Sequence, residues 1–208
     1  MLLDNGWFAA LRRANMELVT EPIDVVTATG IRTSGGREHP LDVLVLATGF
    51  HTQRLLYPME IRGRSGQTLR DYWDGDDAHA YLGITVPEFP NLFLVLGPNT
   101  GLGHGGSVVT IIEMQIGYIT RLLTAMIVGR AGALECREDV EAAYTQRVRA
   151  AHDNMVWTHP GMTNWYRNSR GRVTSTLPWR IVDYRAMLAM PDLADYSLEP
   201  ARVLPTPR

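Results

Sequence analysis

Hydrophobic positions along the first half of the chain come in short runs broken by turn residues, and along the second half in helical stripes. Residues 7–16 place Trp7, Leu11 and Ala14 on one face of a short helix. Short β-type runs follow at 16–20, 23–28, 30–33 and 41–47. Glu21-Pro22, Thr29-Gly30 and Ser34-Gly35-Gly36-Arg37 separate them with turn chemistry, and the last of these predicts a hairpin. Val43-Leu44-Val45-Leu46-Ala47 is apolar at every position, the pattern of a strand covered on both faces inside a layered α/β sheet. Residues 52–90, rich in Gly, Pro, Asp and Arg, read as a long surface excursion. Asn91-Leu92-Phe93-Leu94-Val95-Leu96-Gly97 then predicts a second buried strand.

A long helix is expected from Ser107. Val108, Ile112, Ile116, Ile119, Leu123 and Ile127 recur at spacings of three and four, and Val109, Ile111 and Leu122 widen the stripe. That width predicts burial on more than one side, with Gly129 as the stop. A strand at 133–136 precedes a surface helix at 138–152, with Val140, Tyr144, Val148 and Ala151 on its inner stripe. The tail beyond is marked by Trp157, Trp165, Tyr166, Trp179 and Tyr184.

Composition narrows the function classes. The 208 residues are 45% hydrophobic, enough for one sizeable domain or two small ones. Twenty Lys+Arg against 22 Asp+Glu, with no basic run, point to neither nucleic acid nor an anionic membrane. No apolar run approaches the ~20 uninterrupted residues of a membrane span, and residues 1–6 lack the pattern of a signal peptide. The sole cysteine, Cys136, excludes a disulfide framework and reads as a packed strand residue in a reducing, cytoplasmic compartment.

Three segments could carry chemistry. Ala47-Thr48-Gly49-Phe50 ends a predicted strand, where ligands sit in open α/β sheets; a plain strand-to-loop turn fits it equally. The glycine-rich segment 97–106 precedes a helix N-terminus. Gly101-Leu102-Gly103-His104-Gly105-Gly106 matches G-x-G-x-x-G in letters. Its glycines begin four residues past the strand, however, and Arg121 stands where an acidic ribose partner belongs. The segment therefore suits close approach of a flat cofactor ring, or a glycine loop with no ligand, rather than a primary dinucleotide fingerprint. Asn164-Trp165-Tyr166-Arg167-Asn168, with Gly171-Arg172 and Leu177-Pro178-Trp179, suits stacking on a planar ligand or tying down the tail. His104-Gly105-Gly106-Ser107 suggests a hydrolase oxyanion loop, but no G-x-S-x-G follows. The six histidines show no metal-ligand spacing, so no metal site is expected.

Taken in order, these segments resemble the class B flavoprotein monooxygenases of the Baeyer–Villiger type, closest to the branch of 4-hydroxyacetophenone monooxygenase. Residues 42–50 resemble the family's A-T-G strand, and 89–98 the strand by which the chain re-enters the FAD domain. Asn164-Trp165-Tyr166, Gly171-Arg172 and Leu177-Pro178-Trp179 resemble its C-terminal signature, and Pro98 to Gly106 carries the likeness to the branch.

The resemblance implies an α/β fold: the C-terminal part of a flavoprotein with two dinucleotide-binding domains, its Rossmann-like sheets incomplete. Residues 1–46 would end the NADPH-binding domain, 47–152 would complete the FAD-binding domain, and 153–208 would cap the cleft. It implies FAD and NADPH as cofactors, with a small-molecule ketone and O2 as substrates. Ala47, Thr48, Gly49, Gly97, Asn99, Gly101, Gly103, His104, Gly105 and Trp165 fall at cofactor-facing positions.

The family's glycine fingerprints and its catalytic arginine fall upstream of Met1, so no catalytic residue is expected here. The isolated chain is accordingly expected to be an inactive part of an oxidoreductase. Two other readings stay open: an N- or S-oxidising relative, and a non-catalytic fragment that pairs with a chain carrying the missing N-terminal domains.

Overall fold

In the computed structural model, residues 4–103, 105–162 and 164–201 are described. They divide at Phe50/His51 into two compact units.

The first unit begins with a single helical turn, α1 (Trp7–Ala10), shorter than residues 7–16 suggest, and residues 16–20 form no strand. Its centre is a three-stranded antiparallel sheet in the order β1 (Ile23–Val26), β2 (Gly30–Thr33), β3 (Glu38–Pro40). The expected hairpin joins β2 to β3, with Arg32 opposite Glu38 and Gly30 opposite Pro40. Gly36 supplies the positive φ of that turn, 83°. Gly30 has no alternative, because a Cβ there would lie 2.1 Å from the His39 carbonyl oxygen.

The fully buried strand expected at 43–47 does not form. Past Leu41, whose N–H reaches the Thr29 carbonyl at 3.0 Å, no backbone hydrogen bond joins residues 42–50 to other described residues. Val45 and Leu46 are 79% and 77% exposed and Phe50 is 94% exposed. The reason is elementary: a strand exists only where neighbouring strands take its N–H and C=O groups. Among the described residues none stands beside this one.

The second unit carries the core. Helix α3 (Val108–Val128), strand β4 (Ala131–Cys136) and helix α4 (Glu138–His152) form as their periodicity predicts, with Ser107 and Gly129 bounding α3. Arg130, not Gly129, takes the left-handed conformation that turns the chain into β4, at φ 52°. Strand β5 (Tyr196–Pro200), unpredicted, pairs antiparallel with β4, setting Leu198 opposite Leu134 and Tyr196 opposite Cys136. Cys136 is buried as expected, and burial pushes its thiol up to about 12. A short helix, α5 (Ile181–Met187), completes the layer by adding Tyr184 and Leu188 to the core.

The long helix buries a different stripe from the one its strongest hydrophobes define. Ile111, Gln115, Tyr118, Leu122 and Met126 face the core, while Val108, Val109, Ile116, Leu123 and Ile127 are exposed. By length and composition α3 is able to cross a bilayer; its inner stripe instead packs in a cluster with Leu134, Tyr144 and Tyr184.

Residues 91–97 form no strand either. They run irregularly, with Asn91 and Leu96 at positive φ. Their polar groups are taken singly: the Asn91 N–H by the Leu134 carbonyl at 2.9 Å, the Leu94 N–H by Ile84 at 2.8 Å. Residues 52–90 are irregular as expected but not a surface excursion. Around the one-turn helix α2 (Leu69–Tyr72), Leu69, Trp73, Val86, Phe89 and Leu94 enclose a second apolar cluster.

One buried amide links four segments. Gln115, with no exposed surface, accepts the Leu96 N–H at 2.9 Å and donates to the Tyr184 hydroxyl at 2.9 Å. That hydroxyl donates in turn to the Leu82 carbonyl at 2.6 Å. Replacing Gln115 by Leu removes the partner of the Leu96 N–H and leaves the Tyr184 hydroxyl without its donor. We expect a loss of roughly 2–4 kcal/mol in urea unfolding, against less than about 1 kcal/mol for Ile116→Ala on the exposed side of the same helix.

Candidate functional site

The glycine-rich segment that leads into α3 is held by backbone against backbone. A Cβ on Gly97 would sit 2.2 Å from the Gly83 carbonyl oxygen, so the two chains touch directly there. Two residues on, Asn99 adopts φ 56° and is buried. Its N–H donates to the Thr174 carbonyl at 2.8 Å, and its side-chain amide donates to the carbonyls of Val173 at 2.9 Å and Thr176 at 3.3 Å. Gly101 donates to Ser175 at 2.8 Å and accepts from the Leu177 N–H at 2.7 Å, a parallel bridge. A Cβ on Gly101 would lie 2.8 Å from the Ser175 oxygen. Residues 97–101 are thereby stitched to 173–177.

His152, at the end of α4, lies under the stitch and is 3% exposed. Burial holds its pKa below the usual 6.5, so the neutral ring is favoured and its Nε2–H, 3.1 Å from the Thr176 carbonyl, is the donor. Its Nδ1 is buried with no hydrogen-bond partner among the described residues.

From Gly103 a ladder of aromatic rings leads to the surface. A Cβ on Gly103 would meet Trp157 at 2.7 Å, so only glycine lets the indole come this close to the segment. Trp157 packs on Tyr166 with ring centroids 4.4 Å apart, and Tyr166 on Trp165 at 4.6 Å. Trp165, 61% exposed, ends the ladder. Its backbone is fixed even so: its carbonyl accepts from Thr52 Oγ1 at 2.9 Å and Gln53 Nε2 at 2.6 Å, and Gln53 Oε1 accepts the Thr174 hydroxyl. Asn164 donates to the Trp157 carbonyl at 2.9 Å and accepts the Tyr166 N–H at 3.1 Å.

Ionic contacts brace the same loop. The Asp77 carboxylate receives Arg172, Arg149 at 3.4 Å and Asn168 at 2.9 Å. Nearby, Glu141 accepts from the Thr145 hydroxyl at 2.5 Å and lies 2.8 Å from His79 Nδ1. Burial pushes the Glu141 carboxyl up, but the His79 and Thr145 hydrogen bonds pull it further down, leaving it below the usual glutamate value.

The structure thus joins Gly97, Asn99, Gly101, Gly103 and Trp165 in one continuous assembly. Gly105 follows, with open space where a Cβ would be. His104 lies outside the described residues. Ala47, Thr48 and Gly49 close the other unit, in irregular exposed chain with Gly49 at φ 76°. Sequence reasoning missed Gln53, Thr52 and His152, which support the site from a distance in sequence; nothing in their local pattern marks them.

No family model matches the chain. It is 42% identical over 200 residues to an uncharacterized monooxygenase of Sinorhizobium fredii, covering 96% of this chain and 30% of that one. To an FAD-binding monooxygenase of Aspergillus niger it is 33% identical, over 96% of this chain and 33% of the relative. To a Baeyer–Villiger monooxygenase of Pseudomonas aeruginosa it is 35% identical, over 95% and 37%. Among solved structures it superposes on cyclohexanone monooxygenase from Rhodococcus sp. Phi1 bound to NADP+. There the TM-score is 0.71 at 31% identity, covering 95% of this chain and 38% of that one.

The fold is that of part of a dinucleotide-binding monooxygenase. More particularly, the chain is similar to a portion of Baeyer–Villiger and FAD-binding monooxygenases, spanning about a third of the length of the curated relatives it matches.

Both shifted groups near the stitch act in one direction with pH. His152 and Glu141 have folded pKa values below their unfolded ones, so each contributes stability above its unfolded pKa that is lost as pH falls. The urea midpoint should drop as pH falls below about 6.5, through His152, and again as it falls below about 4.5, through Glu141. His152→Gln should flatten the first step and leave the second; an unchanged first step would exclude His152 as its source.

Proposed function

We propose that this chain is the C-terminal part of an FAD- and NADPH-dependent monooxygenase that inserts one oxygen atom of O2 into a ketone. The observation that carries the reading is the exposed Trp165 ring, held rigidly at the end of a three-ring ladder rooted in the glycine segment. An exposed indole with a fixed backbone is a stacking platform for a planar ring. The names of the relatives, an FAD-binding enzyme, a Baeyer–Villiger enzyme and an NADP+-bound cyclohexanone monooxygenase, support that choice of ligand and substrate.

The residues fit these cofactors unevenly. In this reading Trp165, exposed at the end of the ladder, stacks on the nicotinamide nucleotide, and the open space on the side-chain face of Gly105 supports a place beside the flavin. At Gly97, Gly101 and Gly103 the space a Cβ would fill is taken by Gly83, Ser175 and Trp157, and the Asn99 amide faces inward, so these four shape the segment from behind. Ala47, Thr48 and Gly49 serve as the linker beside the cofactors. Bound FAD and NADPH would supply the hydride transfer and oxygen activation that no side chain supplies.

Residues 98–106 carry the narrower assignment to the 4-hydroxyacetophenone monooxygenase branch, and the single cysteine, Cys136, supports a cytoplasmic location. The exposed apolar faces of α3 and of residues 43–50 are the surfaces on which the rest of the enzyme, or a chain supplying it, would pack.

The test is a chimera. Residues 51–201 replace the matching stretch of the Pseudomonas aeruginosa enzyme, and ketone-dependent NADPH oxidation is measured with ester as product. Activity is expected, with Trp165→Ala lowering kcat/KM roughly tenfold or more, mainly through the KM for NADPH. Oxidation of amines or sulfides with no ester from ketones would overturn the ketone assignment. The 208-residue chain alone is expected to purify colourless; stoichiometric bound flavin would contradict its dependence on the rest of the enzyme.

A further inference from the structure

Away from the ladder, a cavity of about 500 Å³ opens between residues 54–61 and 69–76. Its walls are mixed in a particular way. Leu55, Leu56, Ile61 and the exposed Met59 provide an apolar lining, with the buried Trp73 at the back. At the mouth the half-exposed Tyr57 ring carries two guanidiniums: Arg70 lies 4.8 Å and Arg54 5.7 Å from its centroid.

The charges around the cavity are unequally satisfied. Two carboxylates line it, and both are engaged elsewhere: Asp74 pairs with Arg170, and Asp76 accepts the Ser169 hydroxyl and N–H, each at 2.9 Å. Among the described residues neither Arg54 nor Arg70 makes an ion pair or a side-chain hydrogen bond. Both arginines are exposed, so their N–H groups are open to a ligand at the cavity. A guanidinium fork fits a carboxylate in two parallel hydrogen bonds.

We infer that this cavity is a binding site for a small amphipathic carboxylate, its charged end between Arg54 and Arg70 and its apolar body along Leu55, Met59 and Ile61. The site is separate from the Trp165 ladder and does not depend on the flavin reading.

The test uses the full chain with methionine methyls labelled for NMR, titrated with 4-phenylbutyrate and, as its uncharged counterpart, 4-phenylbutanol. Phenylbutyrate should bind saturably and shift the Met59 methyl among the nine methionines. Phenylbutanol should bind at least about tenfold more weakly, the size of one charge-assisted hydrogen bond. Arg54→Gln and Arg70→Gln should each weaken phenylbutyrate roughly tenfold, and the double variant should abolish saturable binding. Raising NaCl from about 0.05 to 0.5 M on the unaltered chain should weaken the acid several-fold and leave the alcohol unchanged, a readout that requires no variant to fold. Equal binding of acid and alcohol, an unmoved Met59 methyl, or a double variant that still binds the acid would overturn the site.

Discussion

The second unit depends on the stitch between residues 97–101 and 173–177. Two segments more than 70 residues apart are joined by backbone bonds at Asn99, Gly101 and Leu177 and by one buried amide, that of Asn99. Neither segment is a regular strand, so their buried N–H and C=O groups have no sheet to satisfy them. Each finds its partner in the other. Loss of that pairing would leave several peptide groups unpaired in a low-dielectric interior, which is far more costly than losing an exposed hydrogen bond. Gly101 follows from this constraint, since it lets the two main chains approach where any side chain would collide, and Gly97 does the same against Gly83.

The candidate site inherits its rigidity from the stitch. Gly103 comes two residues after the bridge and seats Trp157, which seats Tyr166, which seats Trp165. On the other side Thr174, within the stitched strip, holds Gln53, and Gln53 holds the Trp165 carbonyl. An exposed indole anchored from two directions loses little conformational freedom when a ring stacks on it, which is how a binding platform is preorganised.

Much of this was legible in the sequence where the signal is local. Helices α3 and α4 declare themselves by spacing, β4 by a short apolar run, and the β2–β3 hairpin by Ser34-Gly35-Gly36. Residues 43–47 and 91–97 have strand composition without strand structure, because strand formation is a property of neighbours as well as of the segment. The reverse holds for β5: Tyr-Ser-Leu-Glu-Pro shows little strand character, yet it pairs along β4. On α3 both faces are apolar, and only the partners present decide that Ile111 is buried and Ile127 exposed. At the site, Trp165 stood out by its company, whereas Gln53 and Trp157 act through contacts that no local pattern encodes.

The central claim, that the glycine segment and the tail form one rigid assembly through the stitch, is tested most directly by amide hydrogen exchange at Gly101 and Leu177. If the stitch holds the unit together, these two N–H groups exchange as slowly as the core amides of α3, although both lie in irregular chain. Exchange at the rate of exposed loop amides such as those of residues 42–50 would contradict it.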